Sequence, residues 1–329
     1  MFKQTAPVFD DSEARSCVLG LDVGGTGIKG MVLDHDLRPR GSVRRSTPSA
    51  EGPDAVVDAI AAALRTLDEI ATGQRLTVRQ AGVVVPGIVD EGTQTAVWSA
   101  NIGWRDLPLA ALLGSRTGLP VTLGHDVRAG GAAECGLGAA RGARNALFVA
   151  IGTGIAAALV CDGELVRSAG YAGELGHVPV PSGRRLCTCG GSGCLETVAS
   201  AAAIVHAYTE RTGRTVSGAA DVAALATRGD AVARAVWAQA AKALADALAT
   251  ATTLLAPEVI VLGGGLAEAG PLLLDPVRSG LDERLGFQRR PALLRAELGE
   301  RAGCFGAGLL GWQAAGRPSA STRTGALAS

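Results

Sequence analysis

Aromatic side chains are scarce in this chain: Phe, Trp and Tyr together make up 3% of its 329 residues. That removes the stacking platforms on which single-stranded nucleic acid is held. An excess of charge of either sign is lacking too, because 31 Lys and Arg balance 31 Asp and Glu. A protein that tracks phosphates along nucleic acid needs a basic footprint, so no nucleic-acid partner is expected. Long hydrophobic runs are missing as well. The uncharged stretch 146–161 falls short of the roughly 20 residues a membrane span needs, and Gly152-Thr153-Gly154 breaks it in the middle. Asp10, Asp11 and Glu13 precede any apolar run, which is the wrong order for a signal peptide. Seven cysteines, an odd number with three crowded between 187 and 194, do not resemble a secreted disulfide framework. The expectation is a soluble, cytoplasmic protein with no membrane partner.

What the chain does have is apolar surface. Hydrophobic residues make up 47% and charged residues 19%, enough to fold and too much for a disordered chain. Its length exceeds one compact core and predicts two domains. Residues 17–23 (CVLGLDV) and 28–33 (IKGMVL) read as strands on either side of a glycine turn, Gly24-Gly25-Thr26-Gly27. Helices are predicted over 54–67, 110–117 and 127–135, and short strands over 81–85 and 121–123. The same grammar then returns: strand 146–151 (ALFVAI), turn Gly152-Thr153-Gly154, strand 155–161 (IAAALVC). We read this as a weak internal duplication of an α/β unit. A long helix is predicted over 231–256, with Val232, Val236, Ala240, Leu244 and Leu248 on one face and Pro257 as its stop. Strand 258–262 leads into Gly263-Gly264-Gly265, and the chain after Trp312 reads as a frayed tail.

The first glycine turn follows one strand and precedes another. It therefore lacks the helix N-terminus of a dinucleotide-binding fingerprint, and GxxxxGK[ST] is absent too. Bare backbone N–H groups in such a turn still form a concavity for anions, and Asp22 at the strand end suits a Mg²⁺ ion held through water. Each turn alone reads equally well as an ordinary hairpin. Two of them, with hydroxyls at Thr26 and Thr153 and a third glycine cluster at 263–265, shift the reading toward a bound nucleotide.

His177, Cys187, Cys189 and Cys194 form H-x9-C-x-C-x4-C. Zinc takes four nitrogen or sulfur ligands in a tetrahedron, and a closed set of four is structural because no position is left for water. Buried free thiols are the other reading, one that suits Cys17, Cys135, Cys161 and Cys304 in their apolar segments. It fits this polar, glycine-rich cluster poorly. A zinc here would fix the loop carrying Glu174, His177 and Glu196.

Several of these pieces together resemble the ROK family (repressors, uncharacterised reading frames and sugar kinases). They are LDVGGTGIKG at 21–30, VPGIVD at 85–90, NIGWRDLPL at 101–109, HDVRAGGAAE at 125–134, IGTGI at 151–155, GELGH at 173–177, CTCGGSGCLE at 187–196 and VLGGGL at 261–266. The resemblance implies the α/β, two-lobed actin-like (ribonuclease-H-like) ATPase fold with an interdomain active-site cleft. It implies a flexible extension at 1–16 and a small α/β domain at 17–124 rejoined by a helix at 305–316. A larger α/β domain at 125–304 would carry the zinc loop, and 317–329 would be a disordered tail. It also implies a homodimer or higher homo-oligomer.

By the same resemblance Asp126 matches the general base that takes the proton from a sugar 6-hydroxyl. Asn101, Glu174, His177 and Glu196 match sugar-binding positions, and His125 stands beside the base where the family usually has Asn. Gly24, Gly25, Thr26, Gly152, Thr153, Gly264 and Gly265 match nucleotide-facing turns, with Asp22 beside the first. Lys29 also departs from many ATP-using relatives, which place Lys one residue after the Thr. The implied activity is an ATP- and Mg²⁺-dependent hexose kinase, a glucokinase foremost, with structural Zn²⁺. An N-acetylhexosamine kinase (acting on N-acetylglucosamine or N-acetylmannosamine) is the alternative within the class, and a catalytically weak sugar-binding sensor the alternative outside it. A sugar-responsive repressor would need a winged helix-turn-helix ahead of the first glycine turn, where only 21 residues precede Asp22.

Overall fold

The computed structural model describes residues 15–99 and 101–316. The expected extension at 1–16 lies almost wholly outside them, and the expected tail at 317–329 entirely so. The chain forms two compact units, the first running to Gly130 and resuming at Gly303, the second spanning Gly131–Ala302. His125 and Asp126 thus belong to the first unit.

In the first unit β1 (Ser16–Val23), β2 (Gly27–Asp34) and β3 (Pro39–Ser46) are followed by helix α1 (Pro53–Gly73) and strand β4 (Thr77–Val85). A small antiparallel sheet of β5 (Ile88–Asp90), β6 (Thr95–Trp98) and β7 (Arg105–Leu107) comes next. Helix α2 (Leu109–Thr117), strand β8 (Val121–His125) and helix α3 (Asp126–Leu137) complete this stretch. The main sheet has the order β3-β2-β1-β4-β8, antiparallel through the first three strands and parallel through the last three.

Strand β1 is buried along nearly its whole length, as a central strand covered on both faces must be. Its Leu19 and Leu21 join a core with Ile60, Leu64 and Leu67 of α1. Pro53 opens that helix at a position where its missing N–H costs nothing. The other face receives α9 (Ala302–Ala314), whose backbone lies directly on the sheet. A side chain at Gly20 would strike the Cys304 carbonyl, and one at Gly82 the Ala307 carbonyl. The glycine-rich sequence of this helix is what permits so close a fit.

The second unit repeats the pattern with β9 (Ala146–Ile151), β10 (Ile155–Cys161), β11 (Glu164–Leu165), β12 (Val259–Gly263) and β13 (Ala292–Arg295). Their order is β11-β10-β9-β12-β13, again antiparallel then parallel. Between β11 and β12 lie α4 (Glu196–Ala199), α5 (Ala201–Thr212), α6 (Ala219–Thr227) and α7 (Ala231–Leu255); α8 (Pro271–Arg284) precedes β13. The core gathers round α7, where Val236, Ala240, Leu244 and Leu248 are buried along one stripe. Asp230 caps the helix by accepting from the Ala233 amide; the helix stops at Leu255, one residue short of the predicted end, and Ala256 leaves it in the left-handed conformation ahead of Pro257. Among the described residues no helix is long and apolar enough to cross a membrane.

Candidate active site

In the first unit the candidate residues gather at one edge of the main sheet. Asp22 is the last residue but one of β1, and its neighbours across the ladder are Lys29 on β2 and Val84 on β4. Val84 in turn pairs with Gly124, and Val85 with His125, so Asp22 and Asp126 come from the same edge two strands apart. Burial, and next the Asp126 carboxylate, push the Asp22 carboxyl up to about 7, with Lys29 opposing the shift. Gly303, in the first turn of α9, packs against that carboxyl, and any side chain there would overlap it.

The first glycine turn is closed by the Gly24 amide donating to the Gly27 carbonyl at 2.8 Å. Two hydroxyls from beyond β3 fix it further: Thr47 Oγ1 donates to the Gly24 carbonyl and Ser49 Oγ to the Gly25 carbonyl, each at 2.6 Å. Sequence reasoning missed both, because Thr47 and Ser49 lie in a polar stretch with no motif. With these carbonyls occupied from behind, the turn keeps its shape. Asn101 lies beside it, since a Cβ on Gly25 would come 3.6 Å from the Asn101 Cβ.

His125 is buried at the last position of β8. Its Nδ1 accepts from the amides of Val127 at 3.2 Å and Arg128 at 3.3 Å. The ring thereby satisfies two orphan N–H groups of the first turn of α3, the task of an N-cap Asn or Asp side chain. Asp126, partly exposed, opens the helix; its Oδ1 lies 3.3 Å from His125 Nδ1 and accepts from the Val127 amide at 2.7 Å. Arg128, fully buried, reaches Glu91 Oε1 at 3.3 Å.

In the second unit the Gly152-Thr153-Gly154 turn is one residue tighter, closed by the Gly152 amide on the Gly154 carbonyl at 2.9 Å. Gly264 lies against the end of β9 with φ near +78°, and a side chain there would collide with the Ile151 backbone. Only glycine meets both demands, so Gly264 and Gly265 are held next to the Gly152 turn.

His177, Cys187, Cys189 and Cys194 converge so that one ligand atom from each lies within 4.8 Å of the others. His177 Nδ1 is 3.6 Å from Cys187 Sγ, and the Sγ atoms of Cys189 and Cys194 are 3.7 Å apart. A zinc tetrahedron with ordinary bond lengths has edges of about 3.6–3.8 Å, so the donor set fits the ion in both identity and spacing. Burial, ahead of other causes, pushes the Cys187 thiol up to about 12 and raises Cys194 as well, whereas the Gly191 amide lowers Cys189. A thiol must lose its proton to solvent to ligate a metal, so such a site binds metal with release of protons.

The two acidic candidates flank the cluster. Glu196 Oε1 accepts from the Cys187 thiol at 3.0 Å, and a Cβ on Gly154 would meet Glu196 Oε2 at 3.0 Å. Glu174 Oε2 stands 3.7 Å from His177 Nε2, the ring nitrogen turned away from the cysteines. The structure thus brings together His177, the three cysteines, Glu174 and Glu196, and sets the second glycine turn against Glu196. Of the cysteines outside the cluster, Cys17 and Cys304 are buried, while Cys135 and Cys161 are partly exposed.

Two five-stranded sheets of one order, each opening on a glycine-turn hairpin, define the duplicated actin-like, ribonuclease-H-like α/β fold found in ROK hexokinases. The chain belongs to the ROK family, whose pattern matches residues 18–314. It is 35% identical over 312 residues to a glucokinase of Halalkalibacterium halodurans, covering 89% of this chain and 94% of that protein. It is 30% identical over 296 residues to an N-acetylmannosamine kinase of Salmonella typhi, covering 89% and 97%. Among solved structures, the ROK hexokinase of Thermus thermophilus matches with a TM-score of 0.80 at 34% identity, over 91% of this chain and 98% of that one. A ROK family glucokinase of Streptomyces griseus in complex with glucose and AMPPNP matches with a TM-score of 0.78 at 30% identity, over 90% and 99%.

Proposed function

We propose that the chain phosphorylates a hexose, glucose foremost, at its 6-hydroxyl with MgATP. It is an ATP-dependent sugar kinase, a reading supported by the glucokinase relatives and by the solved relative that holds glucose and AMPPNP. The observation that carries the mechanism is the pair of carboxyls at one sheet edge, with Asp126 partly exposed at the head of α3 and Asp22 at the end of β1. Asp126 accepts the proton of the sugar hydroxyl as that oxygen attacks the γ-phosphorus in line. The new O–P bond forms as the bond to the β,γ-bridging oxygen breaks, and ADP leaves. Asn101, His125, Glu174, His177 and Glu196 orient the sugar, the carboxylates each accepting from neighbouring hydroxyls.

The turns at Gly24-Gly25-Thr26, Gly152-Thr153 and Gly264-Gly265 present backbone N–H groups to the phosphates, and Asp22 takes Mg²⁺ through water. Zinc on His177, Cys187, Cys189 and Cys194 supplies rigidity when bound. The chain's own part is to keep Glu174 and Glu196 aimed from the loop so fixed. We take the working form to be a cytoplasmic homodimer or higher homo-oligomer.

An N-acetylhexosamine kinase is the second reading, favoured by the N-acetylmannosamine kinase that matches over 89% of this chain. A coupled ADP-release assay with MgATP against glucose, mannose, fructose, N-acetylglucosamine and N-acetylmannosamine separates the two by the preferred acceptor. Turnover on one sugar that vanishes in Asp126→Ala is the expected result. Silence on the whole panel from folded, zinc-loaded protein would overturn the ATP-dependent kinase for these sugars, and polyphosphate would be tried as donor before a sugar-binding sensor is accepted.

A further inference from the structure

Behind the cysteine cluster, in the second unit, lies a cavity of about 270 Å³ walled by the loop before Cys187 and by helices α4, α5 and α7. Arg184, Arg185 and Arg211 line it together with Ser182, Gln239 and Glu210. Arg211 donates to Gln239 Oε1, which leaves the carboxamide N–H groups as that residue's free polar face. Glu210, the one carboxylate of the lining, stands 3.7 Å from His206 Nε2. Arg184 and Arg185 make no ion pair and no side-chain hydrogen bond among the described residues. The Ser182 hydroxyl is shut off from solvent and also lacks a partner. A shielded polar group of that kind ordinarily has one, and here it borders the cavity.

A second cavity in the same unit, about 280 Å³, shows the contrast. It too has an arginine in its wall, but Arg284 Nε is bound to Asp246 Oδ1 at 2.6 Å and its charge is spent there. The first cavity offers guanidinium donors, an amide and a hydroxyl with almost nothing to accept from them. Guanidinium forks match the oxygens of phosphate two at a time.

We infer that the cavity bounded by Arg184, Arg185, Arg211 and Ser182 is a binding site for a small phosphate-bearing anion, separate from the residues that carry the kinase reading. Its wall includes Thr197 and Val198 of α4, the single helical turn that begins with Glu196. An anion seated there therefore bears on the element that presents a proposed sugar ligand.

The test is isothermal titration of the full, zinc-loaded chain with inorganic phosphate and, separately, with glucose 6-phosphate, in a chloride buffer. Wild type, Asp126→Ala, Ser182→Ala and the double variant Arg184→Gln/Arg185→Gln are compared. The expected result is a binding component that persists in Asp126→Ala and weakens about ten-fold or more in the arginine variant, with a smaller loss in Ser182→Ala. Equal affinity for the two ligands identifies free phosphate as the recognised group, and tighter binding of the sugar phosphate identifies the ester. Arg184 and Arg185 are exposed, so the double variant is expected to fold, and its zinc content verifies the loop. No titration of wild type up to ~10 mM, or unchanged affinity in a zinc-replete double variant, overturns the site.

Discussion

The two units share one sheet plan and load it with different chemistry. In the first, acids stand at or beside the strand ends: Asp22 is the last residue but one of β1, and Asp126 follows β8 directly. In the second, the position matching Asp22 is Ala150, one before the end of β9, and β13 ends in Arg295. Its candidate carboxylates come instead from a loop and from a one-turn helix, Glu174 ahead of His177 and Glu196 at the head of α4, two residues after Cys194. A strand end is already rigid, so a carboxylate there needs only a neighbour to hold its rotamer. A loop carboxylate needs outside fixing, and the four-ligand cluster is placed to provide it. Duplication supplied the frame, and the two halves then diverged in how they stiffen their side chains.

The largest effect belongs to the base proposed in the first unit: Asp126→Ala should lower kcat by about 10²–10⁴, read as ADP release, with the sugar KM far less affected. For the second unit, stripping zinc with a chelator should act on sugar affinity before turnover. Loosening Glu174, His177 and Glu196 is expected to raise the sugar KM by about 10–100-fold while the nucleotide KM stays nearly constant. An equal fall in kcat for both treatments would break the distinction between a chemical half and a binding half.

Smaller effects test the frame. Gly264→Ala combines a positive φ with a collision against Ile151 and should cost roughly 2–4 kcal/mol, seen as an earlier urea transition. Asp22→Asn probes the first unit through pH. Because its carboxyl is raised to about 7 from 3.8, the folded chain holds a proton that the unfolded chain has lost. Stability from this group is therefore full below pH 4 and falls as pH climbs to about 7. Asp22→Asn should flatten that decline and leave the protein more stable at pH 8 by on the order of 1–3 kcal/mol, measured by urea unfolding without nucleotide in EDTA.

Much of this was legible in the sequence where a pattern repeats or a residue type has few uses. The two strand–turn–strand units and the stripe on α7 stand where their spacing predicts, and the four candidate metal ligands converge as their spacing suggests. What escaped has physical reasons. Strand β3 (PRGSVRRS) is mostly exposed and carries the arginines that keep an edge strand from pairing further, so it shows no apolar alternation. Helices α5 and α6 are short and alanine-rich, with little contrast between faces. The supports of the site, Thr47 and Ser49 behind the first turn and Gly303 against Asp22, come from far along the chain and carry no motif.

His125 is the finest test of the comparison, because it stands where strand end and helix start meet. Its ring nitrogen accepts from the Val127 and Arg128 amides, so the residue that departs from the family's usual Asn still performs a task Asn can perform. If capping is what the position requires, His125→Asn should keep both stability and turnover close to wild type. His125→Ala takes the ring acceptor from both amides, leaving Val127 its bond to Asp126 Oδ1, and should cost about 1 kcal/mol of stability, with a fall in kcat because the first turn of α3 carries Asp126. The measurement is urea unfolding beside ADP release for the two variants. Should Asn match wild type in stability yet change the preferred sugar, the ring would be contributing to acceptor choice as well as to the cap. Should Asn prove as damaging as Ala, the Nδ1 contacts would be incidental, and the strand-end acid would owe its placement to packing alone.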